Sequence, residues 1–134
     1  MSNTEVSAGG IILFEKFILV IKDMHEQWTF PKGKQEPGET LLDTAKREIA
    51  EEVGIKHLTL VTELPPVSYW YTRNVPIYKT VHFFIFTTDN RYIPKPQKEE
   101  GITDAKWVEF SSVVDMIGYP DTNKPLLQQA QKYL

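Results

Sequence analysis

Cysteine is absent from all 134 residues, which excludes disulfides and thiolate metal sites and agrees with a reducing compartment. No apolar run approaches the length needed to span a bilayer. The opening, MSNTEVSAGG, lacks the basic start and apolar core of a secretory signal. Positive charge is not in excess either: 15 Lys and Arg stand against 18 Asp and Glu, a net charge of −3. A general nucleic-acid surface needs a basic field, so nucleic acid is an unlikely partner. There is no internal repeat and no low-complexity segment. These absences make a soluble, cytoplasmic protein the expectation. What is present suits an ordinary core, with 41% hydrophobic and 12% aromatic residues. The length fits one compact domain over residues 1–134 and is too short for two of ordinary size.

Periodicity divides the chain into strands and three helices. Val6–Phe14 reads as a strand, with Gly9-Gly10 marking either a bulge or a close backbone approach. Phe17–Lys22 follows across a two-residue Glu15-Lys16 turn as its hairpin partner. Trp28–Phe30 is a short extended piece entering a loop over Pro31–Gly38. Leu58–Leu64, Val67–Thr72, Tyr78–Thr87 and Ala105–Phe110 are further strands. Ser111 or Ser112 is placed to cap a short helix through Ile117. Pro125 is placed in the first turn of a last amphipathic helix carrying Leu126, Leu127, Ala130 and Tyr133.

The most informative stretch lies between Gly33 and Ile55. Leu41, Ala45, Ile49 and Val53, with Leu42 beside them, form an apolar helical stripe. Thr40 and Asp43 resemble a capping box with a short acid in the third position. Pro37-Gly38 marks a turn before this helix, and Gly54 supplies a left-handed stop after it. The polar side carries Glu48, Glu51 and Glu52 at i, i+3 and i+4, which puts three carboxylates within one arc of the helix. A Glu-rich face is ordinarily solvated surface. Three like charges repel, however, and a hard divalent cation held by oxygen ligands offsets that repulsion.

The flanking residues turn this arc into a pattern, G-x5-E-x7-R-E-U-x-E-E-x-G-U with U aliphatic. It is matched by Gly33, Glu39, Arg47, Glu48, Ile49, Glu51, Glu52, Gly54 and Ile55. At average residue usage a chance match is on the order of 10⁻⁹ per start position. The stretch resembles the Nudix box without a substitution, and the likeness extends over nearly the whole chain. It implies an α/β fold, the Nudix α/β/α sandwich with a mixed β-sheet. It implies hydrolysis of a nucleoside diphosphate linked to a further group, with Mg²⁺ or Mn²⁺ as cofactor. The catalytic set carried over is Arg47, Glu48, Glu51 and Glu52. Glu51 and Glu52 are the expected metal ligands, with the backbone carbonyl near Lys32-Gly33 as an extra donor. Glu48 is either a ligand or the general base. Glu100, beside Glu99, is a candidate acid from outside the box, against the alternative of a solvated loop pair. Arg47 and Glu39 are expected to tie the loop to the helix.

The segment from Trp28 to Glu39, the run Ser68–Thr72 and the stretch from Lys79 resemble the diadenosine tetraphosphate hydrolase branch. The branch implies cleavage of that substrate to ATP and AMP, with Lys32, Lys34 and Lys79 near the phosphates. Alternation puts Tyr69 and Tyr71 on one strand face and Trp70 on the other, so the tyrosines could stack adenine or pack in the core. Lys79 and His82 fall on opposite faces, and His25 and His57 show no ligand spacing. The alternatives are another pyrophosphohydrolase of this fold, acting on RNA 5′-triphosphate ends, oxidised nucleotides or inositol pyrophosphates, or a non-catalytic nucleotide sensor. The box has lost no carboxylate, which weighs against the sensor. The expected partner is a small nucleotide; the sequence leaves the oligomeric state open.

Overall fold

A computed structural model describes residues 3–134. Met1 and Ser2, the start of the domain expected over residues 1–134, lie outside the described residues. The strands are β1 (Thr4–Phe14), β2 (Phe17–Lys22), β3 (Trp28–Thr29), β4 (Lys32–Lys34), β5 (Thr59–Glu63), β6 (Val67–Arg73), β7 (Val75–Thr87) and β8 (Asp104–Glu109). The helices are α1 (Leu41–Val53), α2 (Phe110–Met116) and α3 (Pro120–Ala130). The central order is β3-β2-β1-β7-β5, with β4 paired to β1, β6 to β7 and β8 to β2. Strands β1 and β7 run parallel from Thr4↔Tyr78 to Leu13↔Thr87, and every other pairing is antiparallel. The sheet is therefore mixed, as the sequence led us to expect.

Alternation along β1 and β7 sends successive side chains to opposite faces. On one face Ala8, Ile12, Phe84 and Phe86 pack with Ala45, Ile49 and Val53 of α1. On the other, Ile11, Leu13, Val81, Phe83 and Ile85 pack with Val113 of α2 and Leu126, Leu127 and Ala130 of α3. Helices thus cover both faces, giving the α/β/α sandwich. No helix among the described residues is long and apolar enough to cross a membrane.

Several boundaries differ from the sequence reading. Gly9-Gly10 makes no bulge; pairing runs straight through it, and the glycines permit close approach. A Cβ on Gly9 would stand 2.2 Å from the Pro31 carbonyl oxygen, and one on Gly10 2.6 Å from Ile49 Cδ1. The expected loop Pro31–Gly38 contains β4, held against β1 by Ser7↔Lys34 and Gly9↔Lys32. Strand β7 begins at Val75, because Asn74 at φ 64° lets β6 turn directly into it. Helix α2 starts at Phe110 after Glu109, not at Ser111 or Ser112. Helix α3 starts at Pro120, which leaves Pro125 inside the helix and Tyr133 in a 3₁₀ turn beyond it. Tyr119, left-handed at φ 52°, sets the chain direction just before Pro120, a residue suited to the first helical turn.

Candidate active site

Local chemistry fixes α1 at both ends. Thr40 accepts from the Asp43 N–H (3.0 Å), and Asp43 accepts in return from the Thr40 N–H (3.1 Å). Gly54 at φ 75° closes the far end by donating its N–H to the Ala50 carbonyl. The apolar stripe docks on the sheet, and its direction turns Arg47, Glu48 and Glu51 toward the loop that precedes the helix. Arg47 spreads over that loop. Its Nε donates to Glu39 Oε2 (2.6 Å), its Nη1 to Glu48 Oε1 (2.8 Å) and Glu51 Oε2 (3.1 Å), and its Nη2 to Glu39 Oε1 (3.0 Å) and the Lys34 carbonyl (2.8 Å). The expected tie between Arg47 and Glu39 is present. Glu39 also accepts from the Glu36 N–H and the Thr44 hydroxyl. The Arg47 guanidinium and these hydrogen bonds hold its carboxyl down at about 2.

The glutamates have different surroundings. Glu48, Glu51 and Glu100 bring carboxylate oxygens within 4.8 Å of one another. Glu100 reaches them from a 3₁₀ turn at Lys98–Glu100 that ends on Gly101 at φ 78°. Burial raises the Glu48 carboxyl, opposed by Arg47 and reinforced by the charges of Glu51 and Glu100. Glu52 is 4% exposed and is not one of the three; its Oε1 accepts the Lys32 N–H at 3.1 Å. Burial pushes its carboxyl up to about 8, partly opposed by that hydrogen bond and reinforced by the Glu48 charge. Gly33 lies under the group, where an added Cβ would come within 2.0 Å of Glu48 Cδ. Three converging hard oxygen donors fit Mg²⁺ or Mn²⁺ by their chemistry.

Beside Glu52 and Glu100 opens a cavity of about 770 Å³. Apolar and aromatic residues line it, among them Phe30, Phe83, Val67, Tyr69 and Tyr71, in the manner of a small-molecule site. Tyr69 and Tyr71 share a face as expected, with ring centroids 6.5 Å apart, while Trp70 is exposed on the other and lies 5.1 Å from Tyr78. Lys79 stands directly across from Tyr69. Burial and the neighbouring Lys32 charge bring the Lys79 ammonium down to about 8. Lys32 lines the cavity, whereas Lys34 is paired with Glu5 at 2.9 Å. His82 points to the opposite face from Lys79, with Nδ1 3.5 Å from Glu63.

Sequence reasoning missed Asn123, Asp23, Tyr119 and Glu5. Asn123 is buried, and its Nδ2 donates to Thr29 Oγ1 (3.1 Å) and the Gly118 carbonyl (2.8 Å). A carbonyl only accepts, so the amide orientation is forced, and Asn123 stands in the cavity wall. The Tyr119 hydroxyl donates to Asp23 Oδ2 at 2.6 Å, joining the β2–β3 turn to the start of α3 at the cavity wall. Burial and that carboxylate raise the Tyr119 hydroxyl to about 12. Single polar residues on an amphipathic helix or in a turn carry no spacing signal that would single them out.

This arrangement places the chain in a class. The NUDIX domain model matches residues 4–130, and the chain belongs to that family. It is 28% identical to an 8-oxo-dGTP diphosphatase of Buchnera aphidicola over 130 residues, covering 93% of this chain and 92% of that protein. It is 32% identical over 100 residues to a Mycobacterium tuberculosis relative carrying the mutator-protein name MutT4, covering 72% of this chain and 38% of the relative. The chain therefore spans well under half of that second relative. Among solved structures, the Caenorhabditis elegans Ap4A hydrolase binary complex superposes with a TM-score of 0.77 at 23% identity, covering 96% of each chain. That likeness shows the fold.

Proposed function

We propose that the chain is a Mg²⁺- or Mn²⁺-dependent pyrophosphohydrolase of nucleoside diphosphates linked to a further group, and that it cleaves diadenosine tetraphosphate asymmetrically to ATP and AMP. The observation that carries this reading is the juxtaposition of the Glu48, Glu51 and Glu100 carboxylates with an aromatic cavity lined by Lys32, with Lys34 further along β4 and Lys79 across from Tyr69. The cavity takes one adenosine, the lysines meet phosphate oxygens as point charges, and Tyr69 and Tyr71 offer ring faces at the cavity wall.

Glu48, Glu51 and Glu100 would hold the cation, which when bound would supply charge neutralisation of the phosphates and a lowered pKa for the attacking water. The chain's own residues do the rest. Arg47 holds Glu48 and Glu51 in place through two hydrogen bonds from one nitrogen. Water attacks phosphorus, and the bridging P–O bond breaks with its electron pair going to the terminal phosphate oxygen of the departing nucleotide, the second product. The released proton passes to a carboxylate. Glu52 is the candidate, with burial raising its carboxyl to about 8; Glu48, also raised by burial, takes that role only where it is not a ligand. On Glu52 the proton resides on Oε2, because Oε1 accepts from the Lys32 backbone.

A second reading is favoured by Asn123. Its amide, fixed in the cavity wall, is the kind of polar group that orients a purine ring, and one relative is named as an 8-oxo-dGTP diphosphatase. The test is turnover with Mg²⁺ on diadenosine tetraphosphate, 8-oxo-dGTP and 5′-triphosphate RNA, with products resolved by chromatography. ATP plus AMP at the highest kcat/KM supports the first reading. Preference for 8-oxo-dGTP supports the second, and binding without turnover of any of the three overturns the enzyme assignment.

A further inference from the structure

Outside the carboxylate cluster, one group of charges is left over by the proposed reaction. Strand register builds it on the sheet face that carries the cavity. Glu5 of β1 stands across from Lys79 of β7, and Ser7 of β1 across from Lys34 of β4. Gly9 stands across from Lys32, two residues further along the same face. Three lysines therefore surround a short stretch of β1, and Glu5 is the acid set among them.

Glu5 is heavily engaged. Its Oε1 accepts from the Tyr71 hydroxyl at 2.5 Å, and its Oε2 lies 2.9 Å from Lys34 Nζ and 3.5 Å from Arg73 Nη2. Arg73 Nη2 also donates to the Tyr71 oxygen at 2.9 Å. The Glu5 side chain is only 13% exposed, while those of Lys34 and Arg73 are more than half exposed. Its carboxyl lies below the usual range, first because of the Tyr71 hydrogen bond and then through Lys34 and Arg73. It is an anion bonded by a hydroxyl and two cations, the coordination that a phosphate oxygen would take in the same place. Beside it, the Ser7 hydroxyl is fully buried with no hydrogen-bond partner among the described residues, a polar group on the floor of this cationic face. Lys32, on the cavity wall, and Lys79, across from Glu5, form no ion pair among the described residues.

We propose that Glu5 sets the length of phosphate chain the site prefers, by occupying Lys34, Arg73 and Tyr71 in place of a distal phosphate. Short chains end on Lys32 at the cavity wall, short of Lys79 and of Glu5 across from it. A longer chain reaches Lys34 and Arg73 and must compete with the carboxylate already there. The inference rests on the proposed polyphosphate substrate, with phosphates running outward from the carboxylate cluster along β4 and β1.

The test is Glu5→Gln, an isosteric change that still accepts from Tyr71 while removing the charge. Two series are measured at pH 6, well below the value of about 8 for Lys79, because Glu5 raises that lysine and its loss lowers it. The first is kcat/KM for ATP, adenosine tetraphosphate and diadenosine tetra- and pentaphosphate. The second is calorimetric binding of pyrophosphate, tripolyphosphate and tetrapolyphosphate with Mg²⁺, which needs no turnover. Glu5→Gln is expected to favour the longest members over the shortest by about tenfold, through KM and Kd, as expected for one close charge. Adding Lys34→Gln to it should erase the gain. An equal change at every length, with normal thermal stability, would overturn the proposal and leave Glu5 a holder of Tyr71. A length-dependent change in binding with no turnover anywhere would uphold Glu5 and sink the catalytic reading instead. Turnover with no length dependence would do the reverse.

Discussion

Glu39 and Glu52 bracket α1, and the fold drives their carboxyls in opposite directions from the same ordinary value of 4.5, one to about 2 and the other to about 8. Folding and protonation are linked, so each shift has a sign. Glu39 binds its proton more weakly when folded; its stabilisation is present above pH 4.5 and lost as pH falls toward 2. Glu52 binds its proton more tightly when folded. Between about pH 4.5 and 8 the unfolded chain has released a proton that the folded chain keeps, so stability falls as pH rises. Urea denaturation in chelator should show this decline in the wild type between pH 5 and 8 and a shallower one in Glu52→Gln, where Glu48 alone keeps a raised carboxyl. Matching slopes would place the buried charge elsewhere. In the presence of Mg²⁺ the same substitution is expected to cut kcat by about 10² or more, the scale seen when a positioned proton-transfer group is lost. Under the proposed reading, in which the ring binds substrate and performs no chemistry, Tyr71→Ala should chiefly raise KM. A fall in melting temperature with unchanged KM would mark Tyr71 as a packing residue. The Arg47–Glu39 tie was legible at this scale because both lie inside one short pattern. Glu5 was not, since its partner Tyr71 is 66 residues away and only the β1–β7 and β6–β7 pairings bring them together.

At the level of elements, α1 is self-specified and its neighbour β4 is not. Capping, stripe and glycine stop all act within the helix segment, so the sequence alone delimits it. Lys32-Gly33-Lys34 has no apolar alternation to announce a strand, and β4 exists because β1 offers it hydrogen-bonding groups. Helix α3 was misplaced by five residues because two prolines competed as its start, and the left-handed Tyr119 decides for Pro120. The contact between α1 and β4 is the tightest in the site. Gly33→Ala should push the Glu48 carboxyl away and raise the Mg²⁺ concentration for half-maximal activity by about tenfold or more, comparable to other losses of ligand support. Metal titration of activity beside a melting curve separates this from unfolding. On the buried side, Ile49→Ala should cost about 2–5 kcal/mol in urea denaturation, as for other large-to-small core changes.

Taken whole, the molecule assembles its site from both ends of the chain: β1 and β4 from the first third, α1 between, and β7, Glu100 and α3 from the rest. The fold class could be read early because the box motif and strand alternation are local signals. The cavity could not, since Phe30, Phe83 and Asn123 meet only after the sheet closes. The central pairing has a further consequence for how the protein comes to be made. Strand β1 finds its main partner in residues 78–87, in parallel, so nascent β1 waits on the ribosome until most of the chain has emerged. Its apolar run Gly10–Leu13 has β2 and then α1 as its earlier companions. The closing step is a long-range one of the kind that slows folding, and the interval before it is when a chaperone would find this chain.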